Sequence, residues 1–162
     1  MLCQQFAREE KLPIITLRLF SVYGPHEEPG RLVPTLIRKA LANEDLLLAR
    51  PETARDFVYT DDVTDAYLAC LRHPECSGEV FNVGTGVQSS LEDIVRNVLK
   101  ITGSSSKPVW GAYPSRPFDT SLWVADVQKA SDLLGFRAAT SLEQGLAKHI
   151  AWFKEHREAY AV

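Results

Sequence analysis

The sequence predicts an α/β fold, and three stretches carry that prediction. Ile14 to Phe20 is almost wholly apolar, the pattern of a strand buried on both faces of a parallel sheet. Phe57-Val58-Tyr59 is a short strand that runs directly into Val63, Ala66, Tyr67, Cys70 and Leu71, which recur at helical spacing. Glu79-Val80-Phe81-Asn82-Val83 is a third strand, again followed by a helical pattern. Strands alternating with helices are the layout of an α/β domain.

Taken in order, residues 1–10 read as the end of a helix, with Leu2 and Phe6 as half of an apolar stripe. Arg18 interrupts the first strand. A buried arginine needs partners, which a salt bridge or a ligand can supply. Ser21-Val22-Tyr23-Gly24-Pro25 ends that strand, and His26 to Gly30 is a polar loop. Leu32, Val33, Leu36, Ile37, Ala40 and Leu41 then form an amphipathic helix. Leu46 to Ala49 fits a short strand. Thr60, Asp61 and Asp62 are candidate caps for the next helix, because their oxygens can accept from the unpaired N–H groups of a first turn. His73-Pro74 ends it, since proline cannot continue a helix and extends the residue before it.

Gly84 and Gly86 serve a tight turn; as a dinucleotide fingerprint they lack the third glycine. Ser89 with Glu92 reads as a capping box for a helix on Leu91, Ile94, Val95, Val98 and Leu99. Pro108 to Trp110 is a short strand candidate. Asp126 is placed as the cap of a helix on Val127, Ala130, Leu133 and Leu134, stopped by Gly135. Ser141 and Gln144 form another capping box. The last helix lines up Leu142, Leu146, His149, Ile150 and Phe153, so His149 reads as a packing histidine.

Composition bounds the function. The 162 residues form one domain by size, with 45% hydrophobic and 24% charged residues, ordinary for a soluble globular protein. A net charge of −3 without a basic run argues against nucleic acid. No apolar stretch is long enough to span a membrane, and no signal peptide is visible. Cys3, Cys70 and Cys76 lack metal spacing, which points to reduced thiols in a cytoplasmic protein.

Arg55 reads in two ways from its surroundings. It is a salt-bridged arginine at an ordinary strand-to-helix turn, or a guanidinium aimed at phosphate oxygens, which it binds two at a time. Here four segments bring a resemblance. Arg55-Asp56-Phe57-Val58-Tyr59-Thr60-Asp61-Asp62-Val63 resembles a hallmark of the extended short-chain dehydrogenase/reductases, the NAD-dependent nucleotide-sugar epimerases and dehydratases. Arg18-Leu19-Phe20-Ser21-Val22-Tyr23-Gly24-Pro25 is similar to the family's Arg-x-x-Asn-x-Tyr-Gly-Pro. Phe81-Asn82-Val83-Gly84-Thr85-Gly86 is similar to its Phe-Asn-x-Gly-x-Gly. Leu134-Gly135-Phe136 with Ser141-Leu142-Glu143-Gln144-Gly145 resembles its closing motif. All four belong to the C-terminal half of such an enzyme.

The resemblance implies the last strands of a Rossmann-type parallel sheet plus a small, mostly helical substrate-binding lobe. It implies a nucleoside diphosphate sugar as ligand, with NAD or NADP held by the other half of the complete enzyme and not by this chain alone. Ligands in open α/β sheets sit beyond the carboxyl ends of strands. Phe20, Ser21 and Val22 are therefore expected near the nicotinamide and sugar, with Ser21 where the family more often has asparagine. Arg31, Leu32 and Val33 are expected against the base, or as an ordinary core-facing helix start. Arg55 and Arg116 are expected on the diphosphate, and Asp119 on the ribose. No Tyr-x-x-x-Lys and no glycine-rich cofactor turn occur in the sequence. The expectation is a substrate-binding portion over 1–162, without the N-terminal cofactor half. It would act in a complete epimerase or dehydratase by transient hydride transfer, as a non-catalytic binding module, or as a half-enzyme complemented by an N-terminal chain or a homo-oligomer partner.

Overall fold

The computed structural model describes residues 2–113 and 121–160. The chain divides into two compact units: Met1–Val22, Asp56–Val87 and Val124–Thr140 form the first, and Tyr23–Arg55, Gln88–Trp123 and Ser141–Val162 the second.

In the first unit, α1 (Leu2–Glu9) precedes β1 (Thr16–Leu19), which pairs in parallel with β5 (Val80–Val83), Leu17 facing Phe81. Two helices, α3 (Thr60–Arg72) and α5 (Gln128–Leu134), complete it. Apolar side chains of this unit converge: Val58, Ala66, Phe81, Val83, Ala130 and Leu134 belong to one buried cluster. Gly135 ends α5 in the left-handed conformation at φ 59, the stop its sequence position suggested.

In the second unit, α2 (Leu32–Ala42), α4 (Leu91–Thr102) and α6 (Leu142–Glu155) bury most of the stripes expected of them, while Leu32, at the first turn of α2, is exposed. Val33, Leu36 and Ile37 are buried with Ile94, Val98, Leu146 and Ile150. β3 (Leu46–Leu47) runs parallel to β7 (Pro108–Val109). Tyr23, Ala54, Arg55 and Gln88–Ser90 of this unit lie on β2 (Ser21–Tyr23), β4 (Ala54–Tyr59) and β6 (Gln88–Ser90), ordered β2-β4-β6. The Tyr23 hydroxyl donates to the Leu142 carbonyl at 3.3 Å, tying β2 to α6.

Several expectations are corrected. Ile14 to Phe20 is not buried on both faces: Ile14, Ile15 and Phe20 are half-buried, and Arg18 and Leu19 are exposed. Among the described residues β1 has one neighbour, β5, so its other edge is open. Arg18 is then no buried charge. Leu2 and Phe6 are also exposed.

The capping box of α4 lies one residue later than expected, because β6 continues through Ser90. Ser90 Oγ accepts from Asp93 N at 3.1 Å, and Asp93 Oδ2 accepts from Ser90 N at 3.1 Å. Asp62 does not cap α3. It is buried, and its oxygens accept from Ala139 N at 2.9 Å and Thr140 N at 3.2 Å. Asp126 accepts from Gln128 N at 3.1 Å, while Val127 occupies the N-cap position of α5; Leu133 is exposed. The box of Ser141 and Gln144 forms as expected.

Candidate functional site

β4 carries two neighbouring charged residues that the pleat sends to opposite faces. Ala54, Asp56 and Val58 are buried, while Arg55 and Phe57 are half-buried. Each charge is held within its own unit.

Asp56 belongs to the first unit and is completely buried. Its Oδ1 accepts from Thr85 N at 2.8 Å and Thr85 Oγ1 at 2.7 Å. Its Oδ2 accepts from Gly86 N and Ala125 N, each at 3.0 Å. The turn after β5 is therefore wrapped around an internal carboxylate. A Cβ on Gly84 would lie 2.7 Å from Asp56 Oδ2 and 2.7 Å from Ala125 Cβ, so glycine is required by close approach. The Thr85 and Gly86 amides are the donors that would meet a phosphate here, and Asp56 already occupies them. This turn does not fit a dinucleotide pyrophosphate. Asp56 was not singled out from the sequence. The available signal was a carboxylate at an inward position of an alternating strand, which demands donors.

Arg55 belongs to the second unit. Its Nη1 donates to the Ala54 carbonyl at 2.7 Å, and its Cζ sits 5.0 Å from the centroid of the Trp123 ring. Arg31 is the N-cap residue of α2; its exposed side chain donates through Nε to Glu27 Oε1 at 3.2 Å. Leu32 is partly exposed and Val33 is in the core. Glu27 Oε2 is buried with no hydrogen-bond partner among the described residues. Burial lifts the Glu27 carboxyl to about 7, against the opposing pull of Arg31.

Phe20, Ser21 and Val22 belong to the first unit and are half-buried. Phe20 N donates to the Val83 carbonyl at 2.9 Å, which fixes this stretch against β5. This half-buried strand end carries an aromatic and an aliphatic side chain, and none of its three residues is a cation. Arg116 and Asp119 lie outside the described residues.

His149 is fully buried on α6, and neither ring nitrogen has a hydrogen-bond partner among the described residues. Desolvation lowers its pKa to about 4, so it is a neutral packing group. Burial likewise raises the Cys70 thiol, the opposite of a reactive cysteine. Among the described residues no helix is long and apolar enough to cross a membrane.

Comparison with known proteins agrees with this architecture. A family model described as the NAD dependent epimerase/dehydratase family matches residues 1–84. The UDP-N-acetyl-α-D-glucosaminuronate decarboxylase of Bacillus cytotoxicus is 32% identical over 162 residues, covering 95% of this chain and 50% of that enzyme. The structure of UDP-glucose 4-epimerase from Thermotoga maritima with UDP-glucose superposes with a TM-score of 0.87 at 33% identity, covering 96% of this chain and 50% of that one. UDP-glucuronic acid 4-epimerase from Bacillus cereus, in complex with UDP-glucuronic acid and NAD, gives a TM-score of 0.84 at 33% identity over 95% of this chain and 49% of that one. The chain thus spans about half the length of each. On these matches, and on the motifs that β1, β4 and β5 carry, the chain belongs to the NAD-dependent epimerase/dehydratase family.

Proposed function

We propose that this chain is the nucleoside-diphosphate-sugar-binding portion of an NAD(P)-dependent epimerase or dehydratase. The observation that carries the reading is Arg55: a half-buried guanidinium, fixed over an aromatic ring, in the segment most similar to the family hallmark. Guanidinium edges recognise diphosphate oxygens in pairs. Arg116 and Asp119 join it by resemblance, on phosphate and ribose. Arg31 and Leu32, at the partly exposed start of α2, take the base, with Val33 behind them in the core. Ser21, Phe20 and Val22 face the sugar and nicotinamide. The Tyr-x-x-x-Lys pair and the glycine turn that the resemblance associates with hydride transfer are not in this sequence. The activity assigned to the chain itself is therefore binding, and the reaction belongs to a complete enzyme.

Calorimetric titration with UDP-, dTDP-, CDP- and GDP-sugars tests this. One nucleotide should bind saturably, and Arg55→Ala or Arg116→Ala should weaken it by about 1.5–3 kcal/mol, the worth of a charged hydrogen bond. A well-folded chain that binds none of them would sink the reading.

A second reading is favoured by exposed apolar residues in the first unit: Leu2, Phe6, Leu12 and Leu19. Such a surface suits a further polypeptide segment, so the chain would act as a half-enzyme completed by a cofactor-binding half. Co-expression with a segment bearing the glycine turn and Tyr-x-x-x-Lys should then yield a stable complex with NAD-dependent turnover. Turnover of a nucleotide sugar by the 162-residue chain alone would refute both readings.

A further inference from the structure

In the second unit, Gln88 of β6 grips the segment before Trp123 at two points. Its Nε2 donates to the Ser121 carbonyl at 2.9 Å, and its Oε1 accepts from Trp123 N at 3.1 Å. A carboxamide that meets a carbonyl and the amide two residues on copies the pairing of a neighbouring strand. One side chain thereby fixes the backbone that aims the indole. Trp123 remains 43% exposed, too much for a core tryptophan, and its ring is spent on Arg55 at 5.0 Å. The guanidinium is held at one corner by the Ala54 carbonyl, and its Cζ lies over the Trp123 ring. A ring attracts the guanidinium through its charge, whereas phosphate is bound through its N–H groups, so the two contacts are compatible.

We propose that Trp123, pinned by Gln88, is a positioning residue that holds the Arg55 guanidinium ready for a diphosphate. The proposal rests on the reading of Arg55 given above. Trp123 acts through Arg55 and not on the ligand. Holding an arginine in one rotamer before binding removes an ordering cost that binding would otherwise carry.

Two measurements on the full chain test it. The first is the NMR signal of the Arg55 Nε–H group. It should be ordered and ring-current shifted in the native chain, lose both properties in Trp123→Leu, lose order in Gln88→Leu, and keep both in Trp110→Leu. Equal order in the native chain and Trp123→Leu overturns the proposal. The second is calorimetry with UDP and with uridine. Trp123→Leu should weaken UDP roughly 3- to 10-fold, the size of a partly exposed cation–π contact. Trp123→Phe should restore part of the loss, and uridine affinity should be unchanged. If Arg55→Ala weakens UDP and Trp123→Leu does not, the positioning role is wrong and the reading of Arg55 stands. If Arg55→Ala changes nothing, or the native chain binds no UDP, both fall. Should Trp123→Leu not fold, Gln88→Leu carries the same comparisons.

Discussion

Two carboxylates removed from water, Asp56 in the first unit and Glu27 in the second, are treated oppositely. Asp56 in the first unit accepts from Thr85 N, Thr85 Oγ1, Gly86 N and Ala125 N. Glu27 in the second has Arg31 on one oxygen and, among the described residues, nothing on the other. A buried carboxylate with a full set of donors acts as a structural staple. One with half a set is lifted toward neutrality, here to about 7. The contrast separates a group that fixes the fold from a group that senses pH.

The largest effect should come from breaking the staple. Asp56→Ala takes the acceptor from the amides of Thr85, Gly86 and the buried Ala125 together, and we expect a loss of about 3–4 kcal/mol by denaturant unfolding. Gly84→Ala attacks the same staple sterically. Its Cβ has no room beside Ala125 and the Asp56 carboxylate, so about 1–3 kcal/mol should be lost. If Asp56→Ala costs under about 1 kcal/mol, the carboxylate is not the staple described.

His149 sharpens the comparison from the second unit, being buried without a hydrogen-bond partner among the described residues and neutral down to about 4. Its folded pKa lies below the ordinary 6.5, so its full stability is present above 6.5 and is lost as pH falls toward 4. Relative to His149→Leu, the native chain should lose about 2 kcal/mol on going from pH 7.5 to pH 5. Parallel stability curves for the two proteins would show that the ring is solvated.

What the sequence revealed follows from the range of the interactions involved. α2, α4 and α6 were legible because their apolar stripes repeat within one helix. The box of Ser141 and Gln144 was legible because both partners lie on one turn. The box of α4 slipped by one residue because Ser89 and Ser90 satisfy the same local pattern, and the length of β6 decides between them. Asp62 looked like a cap by proximity, yet its partners at Ala139 and Thr140 are far along the chain. The strand at Ile14 to Phe20 had the composition of a doubly covered strand, but composition does not report how many neighbours a strand has. At the candidate site, Arg55 was visible through its motif. Trp123 and Gln88 were not, because no local pattern links them to Arg55.

The smallest expected effect is the one that isolates Glu27. Its folded pKa, about 7, lies above the ordinary 4.5. Its stabilising contribution is therefore fully present below 4.5 and is lost as pH rises through 7. His149 has the opposite sign over an overlapping window, from 6.5 down to 4. In the native chain the two slopes oppose each other, and either one is hidden by the other. Glu27→Gln removes the alkaline-side loss, so its stability should climb with pH from 4 to 6.5 more steeply than that of the native chain. His149→Leu should instead lose stability as pH rises through 7. The Glu27 effect should be the weaker, because Arg31 opposes the shift and its own side chain is exposed to screening solvent. A Glu27→Gln curve that overlays the native one would mean that water or Arg31 satisfies the second oxygen, and the contrast with Asp56 would disappear.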